Sequence, residues 1–257
     1  MIGNDNDSHS HHKWIDRRGG FDMLMEMTQY SHRLETIASI CHELIRWYQP
    51  RNWWPGREDP FEVVVGAILT QRTTWSQVSK AIAGLRQEGL LSPQAFIAAD
   101  RARIERLLRP AGFYREKTKK LLAFCRMLKD GYSNAWTQLV AQSTPELRTT
   151  LLSVYGIGDE TADAILVYAA KRPSFIIDAY TRRVFMRRGL IQGTEPYNAL
   201  QTLFEDALET DVELYADVHA AILMHGAATC RPGHTARHVR FDVNVLFATR
   251  GWRRDSN

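Results

Sequence analysis

The residues of this chain best suited to chemistry lie between Leu151 and Asp178. Leu151-Leu152-Ser153-Val154 reads as an apolar helix end, Tyr155-Gly156-Ile157-Gly158 as a turn, and Asp159-Glu160-Thr161-Ala162 as the start of a second helix. Gly156 and Gly158 allow a turn that residues with a Cβ would strain. Asp159 can cap the second helix, which then carries Ala162, Ile165, Leu166 and Ala169 on one face. The turn and the helix start present free backbone N–H groups, which suit a phosphate. Twenty residues after Gly158 stands a lone carboxylate, Asp178, behind Ile176-Ile177. It suits two roles that can coexist, the N-cap of a helix over 179–188 and a charge that stabilises a cationic reacting centre.

A second group could hold a flat ring. Trp53, Trp54 and Pro55 lie in a Pro-bounded loop just before Phe61. Core packing is the usual fate of aromatics. Two adjacent tryptophans here cannot share one face, so one is expected to stack and the other to pack under the loop. A π face binds a cationic ring better than a neutral ring of the same shape.

Net charge is +4, and the basic residues cluster: Arg115, Lys117, Lys119 and Lys120; then Arg182, Arg183, Arg187 and Arg188; then Arg231, Arg237 and Arg240. Most such clusters are solvated faces, but clusters flanking a phosphate-binding turn favour nucleic acid. No run of about 18 apolar residues exists, so no membrane span is predicted. The polar, His-rich N-terminus is unlike a signal peptide. Three cysteines, Cys41, Cys125 and Cys230, make neither a disulfide framework nor a zinc pattern, and they fit a reducing cytosol.

The elements that must position these residues read as helices. Residues 1–27, with His9, His11 and His12, are predicted to be a disordered tail. Apolar positions at 34, 37, 40, 41, 44, 45 and 48 follow helical spacing. Further helices are predicted over 78–85, 93–99, 104–108, 117–128, 146–154, 159–169, 178–188, 197–208 and 212–229. Residues 63–70 are apolar and β-branched, and propensity alone would make them a strand.

The turn, the Thr161-Ala162 pair and Asp178, in this order, resemble the helix-hairpin-helix superfamily of DNA base-excision glycosylases, whose best-known member is endonuclease III. Two further segments add to the resemblance: Gly66-Ala67-Ile68-Leu69-Thr70-Gln71, and Gly112-Phe113-Tyr114 with Lys117. The likeness spans roughly residues 60–230. It implies an all-α, two-lobed fold with the active-site cleft between the lobes, and it makes 63–70 a buried helix. The first lobe would be a multi-helix barrel over 60–171 ending in the hairpin. The second would combine 28–59 with 172–257. By resemblance Asp178 is the catalytic carboxylate, and Gln71 fills the gap left by a flipped base. Gly156, Ile157, Gly158, Thr161, Arg115, Lys117 and Arg182 would contact DNA.

Two departures narrow the expectation. Members that also cut the strand carry a Lys two residues after the hairpin's second glycine, and its amine forms an imine with the sugar. Here that position is Glu160, so strand cleavage is not expected. Iron–sulfur members place four Cys after the last helices. Here no Cys follows Cys230, so no cofactor is expected, although a monovalent cation at the hairpin is compatible with the motif. Trp53-Trp54-Pro55 together with Glu160 resembles the 3-methyladenine DNA glycosylase III branch, which implies a pocket of Trp53, Trp54, Pro55, Phe61 and Glu160. The expected protein is a cytoplasmic, nucleoid-associated monomer that excises alkylated purines from double-stranded DNA containing a damaged base. The alternatives are a mismatch or oxidised-base glycosylase on the same scaffold and a lesion-binding module without catalysis.

Overall fold

The computed structural model describes residues 17–51, 53–55 and 58–230, with side chains described from residue 25. The histidines at 9, 11 and 12 and the arginines at 231, 237 and 240 lie outside the described residues.

Twelve helices and a single 3₁₀ turn make up the described fold, with no strand among the described residues. In chain order they are α1 (Arg17–Tyr48), α2 (Pro60–Leu69), α3 (Trp75–Gln87), α4 (Pro93–Ala98), α5 (Arg101–Leu108), the 3₁₀ turn (Arg109–Ala111), α6 (Tyr114–Tyr132), α7 (Trp136–Leu139), α8 (Thr144–Leu152), α9 (Asp159–Tyr168), α10 (Ala179–Arg187), α11 (Tyr197–Ala207) and α12 (Val212–Thr229). Their starts follow local chemistry. Asp59 accepts from the Phe61 N–H ahead of α2, with Pro60 at its first position. Ser92, Asp100 and Asp211 cap α4, α5 and α12 in the same way. Ser143 and Glu146 form a reciprocal capping box on α8.

One expectation changes at the N-terminus. Helix α1 begins at Arg17, so residues 17–27 are helical where the sequence predicts a disordered tail. Met23 to Met27 are good helix formers, and they extend a helix already anchored further on by its buried face, Ile37, Ile40, Cys41 and Leu44.

Two apolar cores divide the molecule. The first is built by α2–α9 and is filled by Phe61, Ile68, Phe96, Phe124, Leu147 and Ile165 among others. The second packs α1, α10, α11 and α12 around Phe185, Leu200, Phe204 and Tyr215. Helix α2 lies wholly inside the first, buried from Phe61 to Leu69. A helix apolar on every side is stable only when enclosed, which is why burial overrides the β-propensity of Val63, Val64 and Val65. The extended segment after α9 runs between the lobes with a period of two: Phe175 and Ile177 enter the second core, and Ile176 enters the first. The same segment ends at Asp178.

Candidate active site and nucleic-acid interface

The hairpin joins α8 to α9. The Ile157 N–H donates to the Val154 carbonyl at 3.1 Å, closing the turn, and the Ile157 side chain is buried in the first core. Gly156 has φ +82, and a Cβ there would lie 2.4 Å from Cγ of Lys120. Both its backbone and its surroundings therefore demand glycine. Gly158 differs. Its φ is −100, ordinary extended backbone, and a Cβ would meet nothing within 4 Å. It is the N-cap of α9 and supplies no capping side chain, so the first-turn N–H groups have no side-chain cap. Nothing inside the protein requires Gly158; an approaching phosphate would.

Gln71 follows α2 and reaches the hairpin. Its amide donates to the Gly156 carbonyl at 3.1 Å and to the Thr161 hydroxyl at 3.0 Å, and its own carbonyl accepts from Lys120 Nζ at 2.5 Å. Beside it lie two left-handed residues, Arg72 at φ 58 and Phe113 at φ 46. The Arg72 guanidinium sits 5.2 Å from the centre of the Phe113 ring, which is 60% exposed. Tyr155, 59% exposed, adds a second aromatic to this face, and its hydroxyl donates to Glu116. Exposed aromatics and cations beside an uncapped helix start suit stacked bases and phosphates together. In sequence Arg72, Phe113 and Tyr155 have no individual role on this face, and Lys120 shows only as a member of a basic cluster, not as the clamp on Gln71. A non-glycine residue in the left-handed region has no sequence signature of its own.

Asp178 sits at the start of α10, 6% exposed. Its Oδ1 accepts from the Thr181 N–H at 2.6 Å and the Thr181 hydroxyl at 2.8 Å, which fixes the carboxylate as an N-cap. Oδ2 accepts no hydrogen bond among the described residues and is left for another partner. Glu160, in the first turn of α9, has surface open to water but is flanked by protein on most sides. That withdrawal from bulk water, with the nearby charge of Asp178, pushes its carboxyl up to about 7. His219 of α12 is buried, and burial lowers its pKa against the opposing pull of Asp178. Its Nδ1 lies 2.8 Å from the Tyr168 hydroxyl, so α9 and α12 meet directly in this region. Glu160, at the start of α9, and Asp178, at the start of α10, thus lie near enough for the charge of one to act on the other, an arrangement typical of reacting centres.

Several predicted site residues have other duties. Trp54 is 8% exposed, its ring 4.7 Å from that of Tyr168 and 5.5 Å from that of Trp75. The absence of a side chain at Gly66 makes room for it, since a Cβ there would come within 3.1 Å of the indole. Trp54 is therefore the tryptophan that packs under the loop, not a base-stacking residue. Trp53 is half-buried and Pro55 exposed. Phe61, at the second position of the enclosed helix α2, packs near Phe96 and Phe124 in the first core, so it does not line a base pocket. Lys117 is buried rather than facing DNA. Its Nζ donates to the Leu69 and Ala111 carbonyls, both at 2.8 Å, and burial lowers its pKa to about 8. It joins the end of α2 to the loop before α6. Thr161 turns inward to hold Gln71 and is itself buried, which removes its side chain from the DNA face. Arg182 donates to the Gly193 and Glu195 carbonyls and anchors that loop instead of a phosphate. Arg115 remains exposed, as a DNA contact requires.

All three cysteines are free and buried. They lie on α1, on α6 and at the end of α12, and no cluster of metal-ligating side chains occurs among the described residues. A cluster with four thiolate ligands does not fit a chain with three separated cysteines. No helix among the described residues is long and apolar enough to cross a membrane.

A two-lobed helical fold, a glycine hairpin joining α8 to α9 and a buried carboxylate capping α10 are the frame of a base-excision type of DNA repair protein. The chain belongs to the HhH-GPD superfamily of base excision DNA repair proteins, whose family model matches residues 65–210. It is 41% identical over 203 residues, covering 78% of this chain and 91% of the relative, to a Methanocaldococcus jannaschii protein provisionally named a DNA repair glycosylase. It is 25% identical to endonuclease III of Thermotoga maritima, over 76% of this chain and 85% of the relative. Among solved structures it is similar to the Helicobacter pylori 3-methyladenine DNA glycosylase bound to 1,N6-ethenoadenine, with TM-score 0.65 and 26% identity, covering 73% of this chain and 95% of that one. Endonuclease III in a non-covalent DNA complex shares the fold, with TM-score 0.66 and 21% identity, covering 78% and 88%.

Proposed function

We propose that this glycosylase excises alkylated purines and leaves the strand intact. The observation that carries the reading is Glu160, a carboxyl group beside Asp178 where strand-cutting members present an amine. A carboxyl group cannot form the imine on which sugar-linked strand cleavage depends. A pair of acidic groups also favours a ring that bears positive charge, as an N3- or N7-alkylated purine does. The 26% identity to a 3-methyladenine glycosylase points the same way.

In this reading the damaged base leaves the stack, because its glycosidic bond is shielded inside the duplex. The hairpin N–H groups and Arg115 hold the backbone, and Gln71, Arg72 and Phe113 occupy the space the base vacates. Trp53 offers its ring to the extruded purine. The C1′–N bond breaks with both electrons going to the purine, which is neutralised as it departs and needs little acid help. Oδ2 of Asp178 faces the oxocarbenium-like sugar and orients the water that adds to C1′, while Thr181 holds the other carboxylate oxygen.

Asp178→Asn keeps an acceptor for the N-cap but removes the charge. A loss of several kcal/mol of transition-state stabilisation is expected, with excision of 7-methylguanine falling by more than about a thousandfold. Affinity for a duplex with an abasic-site analogue should be preserved. Wild-type turnover by the purified variant would show that another carboxylate does the work. Parallel duplexes with 8-oxoguanine and with a thymine mismatch test the two other substrate classes, and excision there in preference to 7-methylguanine would overturn the alkylpurine reading.

A further inference from the structure

The segment that delivers Asp178 is held by side chains rather than by a neighbouring strand. Tyr197, Gln201 and Glu205 follow one another at intervals of four on α11, so they share a face. Glu205 Oε1 accepts from the Phe175 N–H at 2.9 Å, Gln201 Nε2 donates to the Phe175 carbonyl at 2.9 Å, and the Tyr197 hydroxyl accepts from the Ile177 N–H at 3.2 Å. Ile177 immediately precedes Asp178. The same tyrosine hydroxyl donates to Asp163 Oδ2 at 2.7 Å. Asp163, fully buried on α9, also accepts from Gln201, Ser174 and the Arg148 guanidinium. Arg148 in turn bonds Asp159 in the first turn of α9. A continuous path of hydrogen bonds therefore runs from the hairpin helix through Asp163 and Tyr197 to the residue before Asp178.

We propose that Tyr197 is a positioning residue: by joining Asp163 of the hairpin helix to the Ile177 amide, it fixes Asp178 relative to the hairpin that grips the DNA backbone. This rests on Asp178 being the catalytic carboxylate. Burial and the charge of Asp163 hold the phenol protonated well above its usual range, so it remains a donor throughout the working pH range. Without the hydroxyl, the Ile177 N–H and one site on a buried carboxylate lose their partner, and the segment is free to shift. Misplacement of a reacting group by about 1 Å costs on the order of a hundredfold in rate without a matching loss of binding.

The test is Tyr197→Phe in the full chain, measured by single-turnover excision from a 7-methylguanine duplex and by affinity for a duplex carrying an abasic-site analogue. Excision is expected to fall about 10- to 100-fold while affinity stays within about twofold. Hydrogen exchange at the Ile177 amide should speed up. Tyr30→Phe is the control: it removes a surface tyrosine–carboxylate bond to Asp206 in the same lobe, away from this segment, and should leave excision unchanged. Should Tyr197→Phe melt below the assay temperature, Gln201→Leu frees the same segment at Phe175 and should show the same split. Wild-type excision, equal losses in excision and binding, or unchanged exchange at Ile177 would overturn the proposal. Asp178→Asn run alongside separates the two ideas. If it is inactive while Tyr197→Phe is normal, only the positioning role fails; if it is active, the catalytic assignment fails.

Discussion

The two hairpin glycines should fail in different ways when given a methyl group. Gly156→Ala places a side chain at φ +82 and within 2.4–2.6 Å of the Lys120 chain. The left-handed backbone costs about 1–2 kcal/mol. Pushing Lys120 aside also breaks its bond to Gln71, worth about 1 kcal/mol at a half-exposed site. The total, roughly 2–3 kcal/mol, corresponds to a fall in Tm of about 5–10 °C for a chain of this size. Gly158→Ala meets neither obstacle. A weaker N-cap costs about 0.5–1 kcal/mol, and the stiffer unfolded chain returns a similar amount, so Tm should stay within about 2 °C. Its Cβ, however, stands where a phosphate would approach the α9 N–H groups. Loss of one hydrogen bond to a charged group, about 1.5–3 kcal/mol, weakens binding about 10- to 100-fold. Because phosphates carry no base identity, the loss should be the same for every sequence and lesion. Differential scanning fluorimetry and fluorescence anisotropy on three unrelated duplexes give both quantities. Wild-type affinity in Gly158→Ala, or a loss confined to one lesion, would refute the reasoning.

Trp54→Ala should lower stability by about 3–5 kcal/mol, as for any buried large aromatic. Trp53→Ala, at a half-buried position against the first core, should lower Tm less than Trp54→Ala does and cut excision of 7-methylguanine by about 1–3 kcal/mol, roughly 5- to 150-fold; the reverse pattern would reassign the two rings. Glu160 carries a carboxyl that titrates near 7 in the fold against an ordinary 4.5. The folded protein therefore holds this proton when the unfolded chain has lost it, so the stability of the wild type relative to Glu160→Gln should fall as pH rises from about 4.5 to 7 and stay level above. Thermal melts of both proteins across that range measure the difference; a flat difference would mean that Glu160 is solvated like a surface carboxylate. Borohydride added during turnover should trap no covalent protein–DNA adduct, and a trapped adduct on a denaturing gel would identify an amine acting where Glu160 cannot.

What the sequence revealed about this fold was local chemistry. The hairpin and the capping role of Asp178 depend on residues within a few positions of one another, and each was readable from spacing; Asp159, expected to cap α9, is instead its first residue, and Gly158 is the N-cap. Helix α2 was readable only through resemblance, because its β-branched run carries the opposite propensity and enclosure decides the outcome. The misassigned residues share a different property. Trp54 is buried because Gly66 leaves space for it, and Lys117 because two carbonyls, one of them 48 residues away, accept its amine. Arg182 is occupied by a loop eleven to thirteen residues on. A basic or aromatic residue reads the same in sequence whether it meets solvent, nucleic acid or its own backbone. The Tyr197–Gln201–Glu205 stripe was visible as a four-residue interval, but its partner is an extended segment on the far side of α10, which periodicity does not reveal.

The burial of the cysteines also bears on survival under chemical stress. Methylating agents attack the softest nucleophile available, and in proteins that is a thiolate. Burial raises the Cys41 thiol far above its usual range and, against a small opposing backbone hydrogen bond, the Cys125 thiol to about 12. At neutral pH such a thiol stays protonated, and its burial keeps it out of reach of a small electrophile. Cys230 is also enclosed. With all three thiols enclosed, the protein offers a soft electrophile no cysteine at its surface, a useful property for a protein that works on chemically damaged DNA.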